Sequence, residues 1–207
     1  MKKTIFIISF LSFISIASMA QSDYWRTKNI MTFNWEIATP LGSEFTNKTS
    51  ISGANIEFRH FVNNNFSLGA GIHWNTFEDY ISPTVYEKAD GSTAVYSDLV
   101  PQVFVLPMLV KGHYYFDAGN QLKPYVGLGI GAQYSEQNLY YNIFVSSAEN
   151  WGFAARPEAG LMYQLPNRRG GFNLNVGYNY ATNENPDFKM ESMSHLGYSI
   201  GGWWNLY

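Results

Sequence analysis

Phe172-Asn173-Leu174-Asn175-Val176-Gly177-Tyr178-Asn179-Tyr180 puts an apolar side chain on every even position and a polar residue or glycine on every odd one. A strand sends successive side chains to opposite faces, so this stretch has one greasy face and one wet face. The greasy row ends in a tyrosine pair, and similar rows recur to the end of the chain with almost no helical period between them. Such repetition is how a closed barrel in a bilayer reads in sequence, and it predicts an all-β fold.

Composition agrees. The 207 residues are 46% hydrophobic and 17% aromatic but only 14% charged, a charge content well below that of soluble domains. Yet the mean hydropathy is −0.18, too polar for a bundle of membrane helices. After the N-terminal segment, no run approaches the ~20 apolar residues that a spanning helix needs. Transmembrane barrels resolve the conflict, because half of each strand faces lipid and half faces the interior.

Residues 1–20 read as a cleaved secretory signal peptide. Lys2 and Lys3 supply the positive region, Ile5 to Ile16 the apolar stretch, and Ser18-Met19-Ala20 a small-x-small site before Gln21. Residues 21–29 then form a lead-in and 30–207 the barrel domain. The chain has no cysteine, hence no lipoprotein attachment site, disulfide or thiolate metal site. Export without crosslinks, combined with barrel patterning, points to the outer membrane of a diderm bacterium.

Turn signals divide the mature chain into eight alternating segments near 31–39, 50–62, 66–77, 101–116, 123–134, 150–164, 171–181 and 195–206. Short turns at Asn63-Asn64-Asn65, 117–120 and 166–170 alternate with longer connections around 40–49, 78–100, 135–149 and 182–194. That alternation predicts an eight-stranded antiparallel up-and-down barrel with short turns and both termini at the periplasm. Within 78–100, Asp90-Gly91 between β-prone flanks predicts a hairpin that carries the wall beyond the membrane. Its tyrosines either pack that hairpin or dock an envelope partner protein.

The outward register, for example Phe66, Leu68, Ala70, Ile72 and Trp74, carries no charge, and a Lys or Arg at mid-bilayer would cost roughly 2–4 kcal/mol there. Aromatics such as Tyr114, Phe116, Phe172 and Trp204 at one end, and Trp74, Trp151 and Tyr180 at the other, form two interfacial girdles. The inward register holds Glu36, Glu57, Arg59, Lys111, Arg156 and Glu158, three acids against three bases. Unpaired charges in a narrow barrel are heavily penalised, so the six are expected to form one hydrogen-bonded network that plugs the lumen. Glycines on two strands (Gly69, Gly71; Gly127, Gly129, Gly131) leave room for bulky neighbours. The outer loops are rich in acids, which disfavours nucleic acid as a partner.

Leu106-Pro107 through Lys111-Gly112-His113-Tyr114-Tyr115-Phe116, followed by Lys123-Pro124-Tyr125-Val126-Gly127-Leu128-Gly129-Ile130-Gly131-Ala132, resembles the middle hairpin of small OmpA/OmpW-like outer-membrane barrels. Phe58-Arg59-His60-Phe61 before Asn65-Phe66-Ser67-Leu68-Gly69 is similar to their earlier hairpin. Ala20-Gln21 and the Asn/Tyr-rich strands look Bacteroidota-like. The resemblance implies a monomeric eight-stranded barrel in outer-membrane lipid, inserted by the barrel-assembly machinery, and no single activity. Ser199, Gly201, Trp204 and Leu206 resemble that machinery's C-terminal signal, displaced one residue from the chain end by Tyr207.

Candidate chemistry is sparse. Gly127-Leu128-Gly129-Ile130-Gly131-Ala132 matches the dinucleotide pattern, but the alternation continues to Tyr134 with no helix following, so a glycine-lined strand is favoured and no cofactor is expected. His60, His73, His113 and His195 lie on different strands or strand ends without metal spacing and read as isolated, barrel-filling or interfacial residues. An enzyme would have to use Ser194, His195 and Glu191 at the outer rim, with nothing to serve as an oxyanion hole. Pro107 and Pro157 fall mid-strand, where a closed barrel has no free edge for a missing N–H. A bulge accommodates such a proline; a local wall gap beside Val103, Val105 and Leu109 is the functional alternative. The leading expectation is a non-catalytic structural or interaction barrel with a plugged lumen. An OmpW-like narrow conduit for small hydrophobic molecules, with lateral exit near Pro107 or Pro157, is the runner-up.

Overall fold

A computed structural model describes residues 28–41, 46–87, 94–116, 121–166, 169–185 and 192–206. The signal peptide and most of the lead-in lie outside the described residues, as do Asp90-Gly91, Glu191 and Tyr207. Nine strands are formed: β1 (Asn29–Pro40), β2 (Ser50–Asn63), β3 (Phe66–Glu78), β4 (Ile81–Glu87), β5 (Ala94–Tyr115), β6 (Leu122–Tyr141), β7 (Phe144–Gln164), β8 (Gly170–Ala181) and β9 (His195–Leu206). Eight of them close a barrel. β1 pairs with both β2 and β9, β3 pairs with β5, and every contact is antiparallel, whereas β4 pairs only with β5.

The expected registers hold along the wall. In β8, Phe172, Leu174, Val176, Tyr178 and Tyr180 are exposed while Asn173, Asn175 and Asn179 are buried. Closure removes free edges at membrane depth, where hydrocarbon offers no hydrogen bonds to unpaired backbone.

The wall is not of even height. β1, β8 and β9 have 12 residues each, close to the ~9–11 that cross a bilayer, whereas β5, β6 and β7 have 22, 20 and 21. On that side the sheet continues outward by about ten residues, roughly 30 Å. β4 widens the extension, pairing Glu87 with Ala94 across the predicted hairpin. The stretch 135–149, read from sequence as a loop, is instead continuous ladder. β6 and β7 pair from Ser135↔Asn150 up to Tyr141↔Phe144 and turn through Asn142-Ile143, with Asn142 at φ 52°. Clear of the bilayer, both faces of a sheet tolerate polar residues, so the alternation that marks a strand disappears although the strand persists.

Neither proline forms a bulge. β3 and β5 pair at Ile72↔Met108 and resume at Asn75↔Val105 in the same register, so only the rungs at His73/Pro107 and Trp74/Leu106 are missing. β7 and β8 pair at Ala155↔Tyr180 and again at Glu158↔Gly177, with Pro157 between. Each proline keeps its rung on the other side, Pro107 with Gln133 and Pro157 with Leu128. The missing N–H costs a ladder bond on one side and shifts no residue.

Candidate functional site

Six charged side chains meet at mid-lumen, each brought inward by strand parity. All six are nearly or fully buried: Glu36, Arg59 and Arg156 at 0%, Glu57 and Lys111 at 1%, Glu158 at 5%. The Lys111 ammonium donates to Glu57 Oε1 and, at 2.7 Å, to Glu158 Oε2. Arg59 donates twice to Glu57 Oε2, from Nε at 2.9 Å and Nη2 at 2.6 Å. Arg156 forks onto Glu36, with Nη2 2.8 Å from Oε2 and Nη1 3.3 Å from Oε1, and its Nε lies 3.5 Å from Glu158. The expected cluster is thus one connected chain, Glu36–Arg156–Glu158–Lys111–Glu57–Arg59, with its charges balanced.

Neutral groups complete it. Glu36 accepts from Asn55 Nδ2 at 3.1 Å, Asn75 Nδ2 at 3.0 Å and Ser199 Oγ at 2.9 Å. Arg59 reaches the hydroxyls of Tyr115 and Tyr125 at 3.2 and 3.3 Å and lies over the Tyr125 ring. Three of the four histidines lie against it, two of them hydrogen-bonded, contrary to their reading as isolated residues. His73 Nδ1 lies 3.3 Å from Glu36, its Nε2 lies 3.4 Å from Glu57, and His113 Nε2 is 2.9 Å from Glu158. His195 Nε2 sits 3.9 Å from Glu36, whereas His60 stays at the periplasmic end beside Asn29. Parity shows which face a histidine occupies but not which strand it meets across the lumen. No signal in one sequence separates these three from lone fillers.

Glycines make the room. A Cβ on Gly177 would sit 2.7 Å from Arg156 Nε, and one on Gly197 would sit 2.7 Å from Glu36 Oε1. Of the glycines named from sequence, Gly71 faces Glu57 and Gly129 faces Lys111 in the same way.

Apolar layers lie above and below. Toward the periplasm, Ile30, Tyr115, Tyr125, Met162 and Trp203 pack together with Phe61. Toward the outside, Phe77, Val103, Val105, Leu139 and Met193 pack with Ala38 and Leu99. Val103 and Val105, named from sequence beside the alternative wall gap, are therefore covered by packed side chains. Amides continue the outer part of the lumen: Asn179 Nδ2 donates to Gln133 Oε1 at 2.7 Å, and Asn185 Nδ2 to Gln137 Oε1 at 2.6 Å.

Glu57, His113 and Glu158 offer ligand atoms within 4.8 Å of one another, the set best placed for a cation among the described residues. Lys111 already bridges the two carboxylates and Arg59 holds one of them, so protein cations fill the position. At the outer rim, Ser194 and His195 are buried, and Ser194 Oγ accepts from the Ala181 N–H. Of the residues read from sequence as an assembly signal, Trp204 and Leu206 are exposed on the outer face, whereas Ser199 is buried and donates to Glu36. Pro107 points into the lumen and Pro157 outward. On the lipid side of the Pro107 gap lies a groove of about 510 Å³, its lining including Ala70, Trp74, Met108 and Gly131.

The sequence model of the family described as "Outer membrane protein beta-barrel domain" matches residues 6–201. Among solved structures, the chain is similar to Neisserial surface protein A, with 14% identity and a TM-score of 0.54 over 86% of this chain and 97% of that one. It is also similar to Ail, the attachment invasion locus protein of Yersinia pestis (12% identity, TM-score 0.49, 87% and 97% covered). OprG of Pseudomonas aeruginosa aligns at 14% identity and a TM-score of 0.48 (87% and 96% covered). At 14% identity the likeness to Neisserial surface protein A shows the fold alone. None of the curated proteins compared matches the chain.

Proposed function

Because the chain belongs to the outer membrane protein β-barrel domain family and resides in the outer membrane, we propose that it is a non-catalytic structural or interaction barrel with a plugged lumen. One observation carries the reading. Every charge of the mid-lumen network is buried and paired, between two packed apolar layers. A water-filled pathway would need those charges hydrated and those layers parted. The work then falls to the lipid-facing wall and the outer extension.

The extension is the contact surface in this account. On the 78–100 hairpin, Tyr80 and Tyr96 are 58% and 73% exposed, a residue type favoured in interfaces. The rest of the proposal follows the family resemblance: cleavage after Ala20, insertion by the barrel-assembly machinery through Ser199, Gly201, Trp204 and Leu206, and a monomer in the bilayer. The test is affinity purification from native outer membranes. Wild type is expected to bring down an envelope protein that is lost on Tyr96→Asp, while the barrel still folds. Equal recovery with both would contradict the assignment of that hairpin.

A second reading, a narrow conduit with lateral exit, draws on the interrupted rungs at Pro107 and Pro157 and on the groove outside the first of them. It predicts that uptake of a small hydrophobic compound by cells expressing the protein falls when Pro107→Val closes the gap. Unchanged uptake removes this reading.

A further inference from the structure

Twelve consecutive residues at the top of β6 and β7, from Gln137 to Ala148, carry no charge. They span the Asn142-Ile143 turn, in the part of the ladder that rises beyond the bilayer. There Ile143 is 85% exposed and Phe144 55%, with Tyr140 and Val145 open beside them. Scattered apolar residues on a surface need no explanation, but a contiguous set at one tip marks a contact site. Lipid accounts for exposed apolar side chains lower on the wall and not for these.

The tip is held in shape. Asn142 takes the left-handed φ of 52° that a tight turn requires. Its N–H donates to Ser97 Oγ on β5 at 3.0 Å, and the Tyr141 and Phe144 rings lie 5.9 Å apart. A preformed knob loses little conformational freedom on docking.

The base of the same hairpin carries a second feature. Glu136 and Glu149 are direct cross-strand partners, a like-charge pairing that disfavours the sheet. Asn138 donates to Glu136 at 2.9 Å and the Tyr134 hydroxyl reaches Glu149, but both groups are neutral. Among the described residues, no ion pair reaches either carboxylate.

We propose that the β6–β7 tip is a docking knob for a protein whose apolar cleft receives Ile143 with Tyr140 and Val145, and whose basic rim meets Glu136 and Glu149 on the same face of the hairpin. The carboxylates select the occupant. A membrane surface presents phosphates that they repel, and a second copy presents the same acidic pair. Tip and base lie six or seven residues apart, roughly 20 Å, within the span of one ordinary interface. The proposal deepens the interaction role above and rests on it, but it uses a different hairpin from 78–100 and does not depend on the lumen.

The test places a photo-crosslinking phenylalanine derivative at position 143 of the full chain in its native outer membrane, with the same probe at Val85 for comparison. The expected result is a discrete protein adduct from position 143 that falls roughly fivefold or more with Glu149→Lys and weakens in high salt. Glu149→Lys puts opposite charges at facing positions, so folding is retained; heat-modifiable migration of the barrel checks it, and Glu149→Gln serves as the second variant. An adduct with lipid alone, with a second copy, no adduct at all, or a protein adduct indifferent to both substitutions overturns the proposal. Loss of co-purification through Tyr96 with a charge-sensitive adduct at 143 retained would show that the two hairpins act separately.

Discussion

Lys111 shows how much one side chain holds inside this barrel. Its ammonium separates Glu57 from Glu158, two carboxylates that would otherwise face each other without water. Replacing it with methionine leaves uncompensated buried charge, and breaking a buried pair in this way costs about 3–5 kcal/mol. Lys111→Met is therefore expected to lower stability by that amount in urea unfolding of the barrel folded in lipid vesicles. Gly177→Leu tests the space around Arg156 by the same measurement. The added side chain meets the guanidinium that forks onto Glu36, and overpacking of this kind costs about 1–3 kcal/mol. An unchanged unfolding midpoint in both variants would mean that the network contributes nothing to holding the wall.

For the strands, the prolines give the sharpest prediction. In the register of β3 and β5, Pro107 faces His73 and has no N–H to give it, whereas its rung with Gln133 on β6 is intact. Pro107→Val supplies the donor and is expected to raise stability by about 0.5–1.5 kcal/mol, with slower amide exchange at the restored rung. Faster exchange would show that the missing rung reflects strain elsewhere in the wall. The membrane-spanning parts of the strands were legible in sequence because two solvents, lipid outside and packed polar groups inside, impose opposite demands on alternate residues. Residues 135–149 were not legible as strand for the same reason reversed. Above the bilayer the outer face meets water while the buried inner face takes amides and hydroxyls such as Gln137 and Ser135. Polar residues therefore fall on both faces, and the pattern fades while the ladder continues. The six charges could be assigned to the interior by parity. Their neighbours could not, since Asn55, His73 and Ser199 converge on Glu36 from three different strands at heights that depend on register and barrel shear.

At the scale of the whole molecule, the barrel is a closed wall with unequal sides and a filled interior. Its low half fits the bilayer; its tall half, built from β4 to β7, puts a sheet with exposed tyrosines and an apolar tip outside. Among the described residues, charge is buried at mid-height and apolar side chains pack above and below it, which supports the proposed role in contact over one in passage. Conductance in planar lipid bilayers tests that claim most directly. The purified wild-type barrel is expected to insert without producing discrete conductance steps, while Lys111→Met, which unlocks the network, produces intermittent ones. Stable, ohmic steps from the wild-type protein would contradict the plugged lumen and with it the interaction role built upon it.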